Sequence, residues 1–98
     1  MLYKISEKAN EDINSIWLYT FENWSKEQAD RYYNLILDEI EFISLNTDSG
    51  KSMGHIRKGY FSTKVKSHII FYRKTNYHTI EIIRILHQRM DIDYRLNE

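Results

Sequence analysis

The chain has 98 residues with 14 Lys+Arg against 14 Asp+Glu, 42% hydrophobic and 14% aromatic residues, and neither Cys nor Pro. That length has room for one folding unit spanning residues 1–98, and the lack of Cys excludes a disulfide framework and any thiolate nucleophile or metal ligand. The longest apolar run, Ile69-Ile70-Phe71-Tyr72, is far too short to span a bilayer, and Met1-Leu2-Tyr3-Lys4 has no hydrophobic signal core, so a soluble cytoplasmic protein with no membrane partner is expected.

The zero net charge is unevenly spread. Residues 1–49 carry four basic against ten acidic side chains, and residues 50–98 reverse this with ten basic against four acidic, together with all four His. A basic half of this kind meets phosphates or an acidic partner, while the acidic half discourages nucleic acid from wrapping the molecule on every side.

Leu2–Ile5 reads as a short strand ended by Ser6, a residue able to cap a helix. Ala9, Ile13, Ile16, Trp17, Thr20 and Trp24 then recur at helical spacing, predicting a helix over about 7–22. Ser25 with Gln28 has the capping-box pattern, which starts a second helix at once. Its stripe of Ala29, Tyr33, Ile36, Ile40 and Ile43 runs to about Leu45, and Tyr32, Leu35, Leu37 and Phe42 widen it. Two helices with so short a link form an antiparallel hairpin.

Asn46-Thr47-Asp48-Ser49-Gly50 is turn chemistry, and beyond it the period changes from 3.6 to 2. Tyr60–Val65, His68–Arg73 and Thr79–Leu86 read as three strands, joined by Lys66-Ser67 and by a loop around Asn76, and links this short impose antiparallel pairing. The last strand is apolar at both parities through Ile80, Ile82, Ile83, Ile85 and Leu86, so both of its faces need cover. The helical hairpin supplies one layer. The tail from Gln88 to Glu98, or a partner protein, supplies the other.

Chemical motifs are sparse. Gly50-Lys51-Ser52 lacks the glycine of a phosphate-binding loop at Leu45 and follows a helix where that loop would precede one, so nucleotide binding is not expected. His55, His68, His78 and His87 are spaced by 13, 10 and 9 with no pair at helical ligand spacing, so no metal and no cofactor is expected. No serine sits in a nucleophile elbow. Metal-free RNA cleavage remains the enzymatic reading, with His68, His87, Arg73, Arg84, Arg89 and Tyr94 as its basic and acid–base groups, although each also fits an ordinary structural role.

Several segments in order resemble the ParE branch of the RelE/ParE toxins of type II toxin-antitoxin systems: Tyr3-Lys4-Ile5-Ser6, Ala9, Asp12-Ile13, Ile16-Trp17-Leu18-Tyr19-Thr20, Trp24-Ser25, Gln28-Ala29 and Tyr32. The resemblance continues through His68-Ile69-Ile70-Phe71-Tyr72-Arg73 and Ile80-Glu81-Ile82-Ile83-Arg84-Ile85-Leu86-His87-Gln88-Arg89-Met90-Asp91, the last run being the most specific. The loop near Gly50 departs from relatives in having no proline, which leaves its shape open. The resemblance implies an α+β fold of order β-α-α-β-β-β, a helical hairpin packed on a twisted antiparallel sheet.

It also implies a toxin without catalytic residues, one that inhibits DNA gyrase by direct binding and so arrests growth. A ParD-like ribbon-helix-helix antitoxin would neutralise it in a hetero-oligomer, DNA being reached only through that antitoxin. Ribosome-dependent mRNA cleavage, as in the RelE branch, is the alternative. Arg84, His87, Arg89 and Asp91, at the end of the last strand, are the candidate target-binding residues.

Overall fold

A computed structural model describes residues 3–76 and 79–97; Met1, Leu2, His78 and Glu98, named above, lie outside them. In chain order the elements are β1 (Tyr3–Ile5), α1 (Glu7–Asn23), α2 (Lys26–Leu45), β2 (Lys51–Ser52), β3 (Tyr60–Val65), β4 (His68–Asn76), β5 (Thr79–His87) and α3 (Ile92–Leu96). The strands form one sheet in the order β1-β5-β4-β3-β2.

Both helices begin at serines. Ser6 Oγ accepts the Ala9 N–H at 3.0 Å and Ser25 Oγ accepts the Gln28 N–H at 3.1 Å, each satisfying a donor that the first helical turn leaves free. Trp24 and Ser25 alone separate α1 from α2, which forces the hairpin. Ala9 and Ile13 of α1 and Ala29, Ile36, Ile40 and Ile43 of α2 are buried and meet Ile70, Tyr72, Ile80, Ile82 and Ile85 of the sheet in the main core. Tyr33, placed on that stripe by its spacing, is 37% exposed, and Tyr32 turns inward instead. From Ala29 the buried line steps by three to Tyr32 and then by four to Ile36, a phase that periodicity leaves equally open.

β3, β4 and β5 form the expected antiparallel meander. β1 adds to β5 in parallel, Tyr3 opposite Ile80, so the sheet is mixed rather than wholly antiparallel. No hairpin links these two strands, and the intervening helices and meander bring β1 alongside β5 in the same direction.

The apolar run in β5 has two causes. The register shifts where Phe71 pairs with Arg84 and Tyr72 with Ile82, so Ile83 is an extra residue that changes the phase, and Ile80, Ile82 and Ile85 all reach the helix side. The tail then covers the opposite face, where Leu96 and Ile92 pack with Phe71, Leu86, Met53 and Ile56 in a second, smaller cluster. The second layer thus comes from the chain itself. No helix among the described residues is long and apolar enough to cross a membrane.

Where β1 ends, α1 takes over the edge of β5. Ser6 donates its N–H to Ile82 O at 2.9 Å and its hydroxyl to Ile83 O at 2.9 Å. Asp12 then accepts the Ile85 N–H at 2.9 Å while holding Arg84 through two hydrogen bonds of 2.8 and 3.1 Å. Arg84 is 9% exposed and also donates to Arg95 O in α3, so one guanidinium ties the first helix to the tail.

Candidate protein-docking groove

Toward the C-terminal end of α1 its apolar stripe emerges from the core. Ile13 is buried, Ile16 and Thr20 are half-buried, and Trp24 is 67% exposed. Between this helix end, the first turns of α2 and the end of the sheet lies an open groove of about 840 Å³. Tyr19, Trp24, Leu35 and Met90 give it apolar walls, and Arg31 and Lys66 lie at its border. Tyr19 is 60% exposed and its ring centroid lies 6.1 Å from that of Trp24. Lys66, at φ +51°, makes the tight turn between β3 and β4 that a two-residue hairpin connection requires. The Gln88 N–H donates to Ser67 O at 2.9 Å, which fixes the end of β5 to that turn.

Tyr32, His68 and His87 form the polar part of the lining. His68 and His87 are direct neighbours across β4 and β5, their rings 5.2 Å apart and nearly perpendicular. The Tyr32 hydroxyl lies 3.1 Å from Val65 O and 2.6 Å from His68 Nδ1. A hydroxyl has one proton to give; with it on Val65 O, the His68 ring donates from Nδ1 to the phenol oxygen. His87 Nδ1 accepts the Arg89 N–H at 3.1 Å, which puts the His87 proton on Nε2. Burial, reinforced by the neighbouring His87 and opposed by Asp12, pulls the His68 pKa down to about 4. Burial pushes the Tyr32 phenol the other way, upward. At neutral pH His68 is therefore uncharged and Tyr32 protonated, and the pair acts as a fixed polar surface.

The four candidate residues at the end of β5 are not gathered on one surface. His87 lines the groove. Arg89 is exposed in the turn just beyond it, and Asp91 caps α3 by accepting the Tyr94 N–H at 3.2 Å. Arg84 projects toward the opposite side, closed in by Asp12 and the tail.

The wider set that RNA cleavage would require is scattered too. Arg73 pairs with Glu81, six residues along β5 from His87, or about 20 Å at strand rise. Among the described residues no group of three or more His, Asp or Glu is placed to hold a metal ion. Sequence reasoning missed the apolar walls at Tyr19 and Leu35 and the contact of Tyr32 with His68. The pairing of His68 with His87 was available from the hairpin once its register is fixed by the Lys66-Ser67 turn.

Comparison with known proteins places this architecture. Residues 3–92 match the family described as ParE toxin of type II toxin-antitoxin system, parDE. Toxin ParE1 of Mycobacterium tuberculosis is 36% identical over 94 residues, covering 96% of each chain. Toxin ParE1 of Caulobacter vibrioides is 36% identical over 89 residues, covering 91% of each. A chain in the solved structure of the chromosomal ParDE TA system from P. aeruginosa superposes with a TM-score of 0.75 at 17% identity, over 87% of this chain and 92% of that one, and so shares the fold. An α+β chain with this order of elements and this near-complete sequence match belongs to the ParE toxin family of type II toxin-antitoxin systems.

Proposed function

We propose that this toxin acts by docking, inhibiting DNA gyrase in the cytoplasm through direct contact and arresting growth, and that a ParD-like antitoxin neutralises it by occupying the same region. The observation that carries this reading is the groove at the connected end of the helical hairpin, where Tyr19, Trp24, Leu35 and Met90 remain exposed beside His87. Large apolar and aromatic side chains clustered in a concave surface are the usual anchors of a protein interface. An amphipathic antitoxin helix fits such a groove, and its seat over His87 and Met90 would bring it against Arg89 and Asp91. Competition for adjoining surface then accounts for neutralisation. In this scheme His87, Arg89 and Asp91 form the gyrase-contacting end, Asp91 also shaping it through its cap. Arg84 contributes as a positioning residue, holding the tail on which that end is built. Assembly with antitoxin gives a hetero-oligomer.

The test is a reconstituted supercoiling reaction. Purified toxin is expected to inhibit it, His87→Ala and Arg89→Ala are expected to relieve the inhibition while keeping the folded circular-dichroism spectrum, and added antitoxin is expected to restore activity. Intact supercoiling, with cleaved message on translating ribosomes, would overturn the docking mechanism in favour of RNA cleavage.

A further inference from the structure

A second surface lies apart from the groove and shares no residue with it. On the tail side of the sheet, two adjoining clefts of about 340 and 530 Å³ have Arg57, Tyr60 and Ile83 in common. The first is lined in addition by Lys8, Arg84 and Arg95, the second by Lys58, Arg73 and Lys74. Seven cationic side chains thus line the clefts beside two carboxylates, Glu7 and Glu81, in a chain whose net charge is zero, although the Lys74 ammonium itself turns to the helix side over the Phe61 ring. Three of the cations are held by acids: Arg84 by Asp12, Arg73 by Glu81 and Lys74 by Asp48. Among the described residues Lys8, Arg57 and Lys58 have no ion-pair partner. The Arg57 guanidinium lies 5.6 Å above the Tyr60 ring and donates to the Asn97 side chain, which holds it over the junction of the clefts. Gly59, at φ +84°, makes the turn between Lys58 and Tyr60.

We propose that this face binds the phosphate backbone of DNA directly, where the family resemblance implies contact only through the antitoxin. The choice of a polyanion of phosphates over an acidic peptide follows from the backbone. A peptide laid along a sheet gains its affinity from main-chain hydrogen bonds to a free strand edge. Here β4 is paired on both sides, and the edge of β5 is taken successively by β1, by Ser6 and by Asp12. What the surface offers is positive side chains and an aromatic ring, which suit a regular row of phosphates. The three unpaired cations set the scale, and log affinity is expected to fall against log salt with a slope of about −3. A toxin docked through its groove would keep this face available for DNA held by its target.

The proposal is independent of gyrase and is tested without it, by fluorescence anisotropy of the purified toxin with a labelled DNA duplex of about 20 base pairs between about 50 and 200 mM salt. Wild type is expected to bind with that slope. The Lys8→Glu/Lys58→Glu double variant, changed only at exposed positions, is expected to bind about tenfold more weakly or worse and to lose about two units of slope. Lys51→Glu/Lys64→Glu makes the same change in net charge outside the clefts and is expected to leave most of the binding intact. Absence of salt-dependent binding, or equal weakening by the two double variants, would overturn the assignment. Displacement of the duplex by polyglutamate at equal charge concentration would overturn it in favour of an acidic peptide. Because neither gyrase nor antitoxin is present, failure here leaves the docking reading untouched, and failure of the supercoiling test leaves this one untouched.

Discussion

The two faces of the sheet are covered in different ways. On one side, two helices of 17 and 20 residues bury a continuous layer of Ile, Tyr and Ala side chains. On the other, a five-residue helix and the loop around Met53 and Ile56 cover Phe71 and Leu86, and polar ties hold the cover in place: Arg84 to Arg95 O, Arg57 to Asn97 and the Asp91 cap. An apolar layer of that size stabilises by area, whereas a small layer depends on individual contacts. The helix side is therefore the rigid scaffold, and the tail side is the region most readily loosened by one substitution. The groove lies where the stripe of α1 leaves that layer, at Tyr19 and Trp24.

The sharpest way to break this contrast is at the residue that links both sides. Asp12→Ala leaves the Arg84 guanidinium buried without its carboxylate and the Ile85 N–H without an acceptor, and is expected to cost about 3–5 kcal/mol, read as a fall in the urea midpoint. Leu96→Ala removes the buried anchor of the tail and is expected to cost about 2–4 kcal/mol. Hydrogen exchange should place its effect in residues 53–57 and 92–97 and leave the helix amides protected; uniform loss of protection would show that the two layers unfold as one. Tyr32→Phe takes the hydroxyl from Val65 O and His68 for about 1 kcal/mol, on the helix side.

Acid sharpens the contrast through His68. Its folded pKa lies near 4, below the unfolded value near 6.5, so the unfolded chain binds the proton first. The stability that this group contributes is complete above pH 6.5 and is lost as pH falls through that window toward 4. His68→Gln is expected to flatten the melting temperature over that range, and an unchanged profile would remove the burial argument. The smallest effect on stability belongs to the groove itself. Trp24→Ala, at a 67% exposed site, is expected to change stability by no more than about 0.5 kcal/mol while weakening antitoxin capture by about tenfold or more.

Much of the scaffold was legible because it follows local rules. Ser6 and Ser25 mark the starts of the helices, the spacing of Ala29, Ile36, Ile40 and Ile43 marks a buried face, and Lys66-Ser67 marks a hairpin. The need for a second cover on β5 was also visible, since its apolar residues break the alternation. The two-residue β2 and the five-residue α3 are too short to carry a period. Tyr32 against Tyr33 is a phase choice settled only by the partner across the core, Val65 and His68.

The candidate site was legible in part: His87 and Arg89 stand at the open end of β5, whereas the role of Arg84 depends on Asp12, 72 residues earlier in the chain. No local pattern encodes a pairing of that range. The groove was hidden for a related reason. Trp24 stands at the C-cap of α1, well beyond the buried Ala9 and Ile13, and in the sequence it reads as one more position on an apolar stripe.

The same long-range pairing has a consequence for synthesis. β1, Ser6 and Asp12 leave the ribosome well before their partners in β5, which run from Ile80 to Ile85. A nascent chain that has emerged only as far as β4 has its two helices but lacks the strand on which α1 closes. At translation speeds of about 5–20 residues per second, seconds pass between the synthesis of Asp12 and that of Ile85, and α1 waits that long for its strand. A chain stopped ahead of Thr79 would lack β5 and with it the partners of Tyr3, Ser6 and Asp12, and is expected to be inactive and readily degraded.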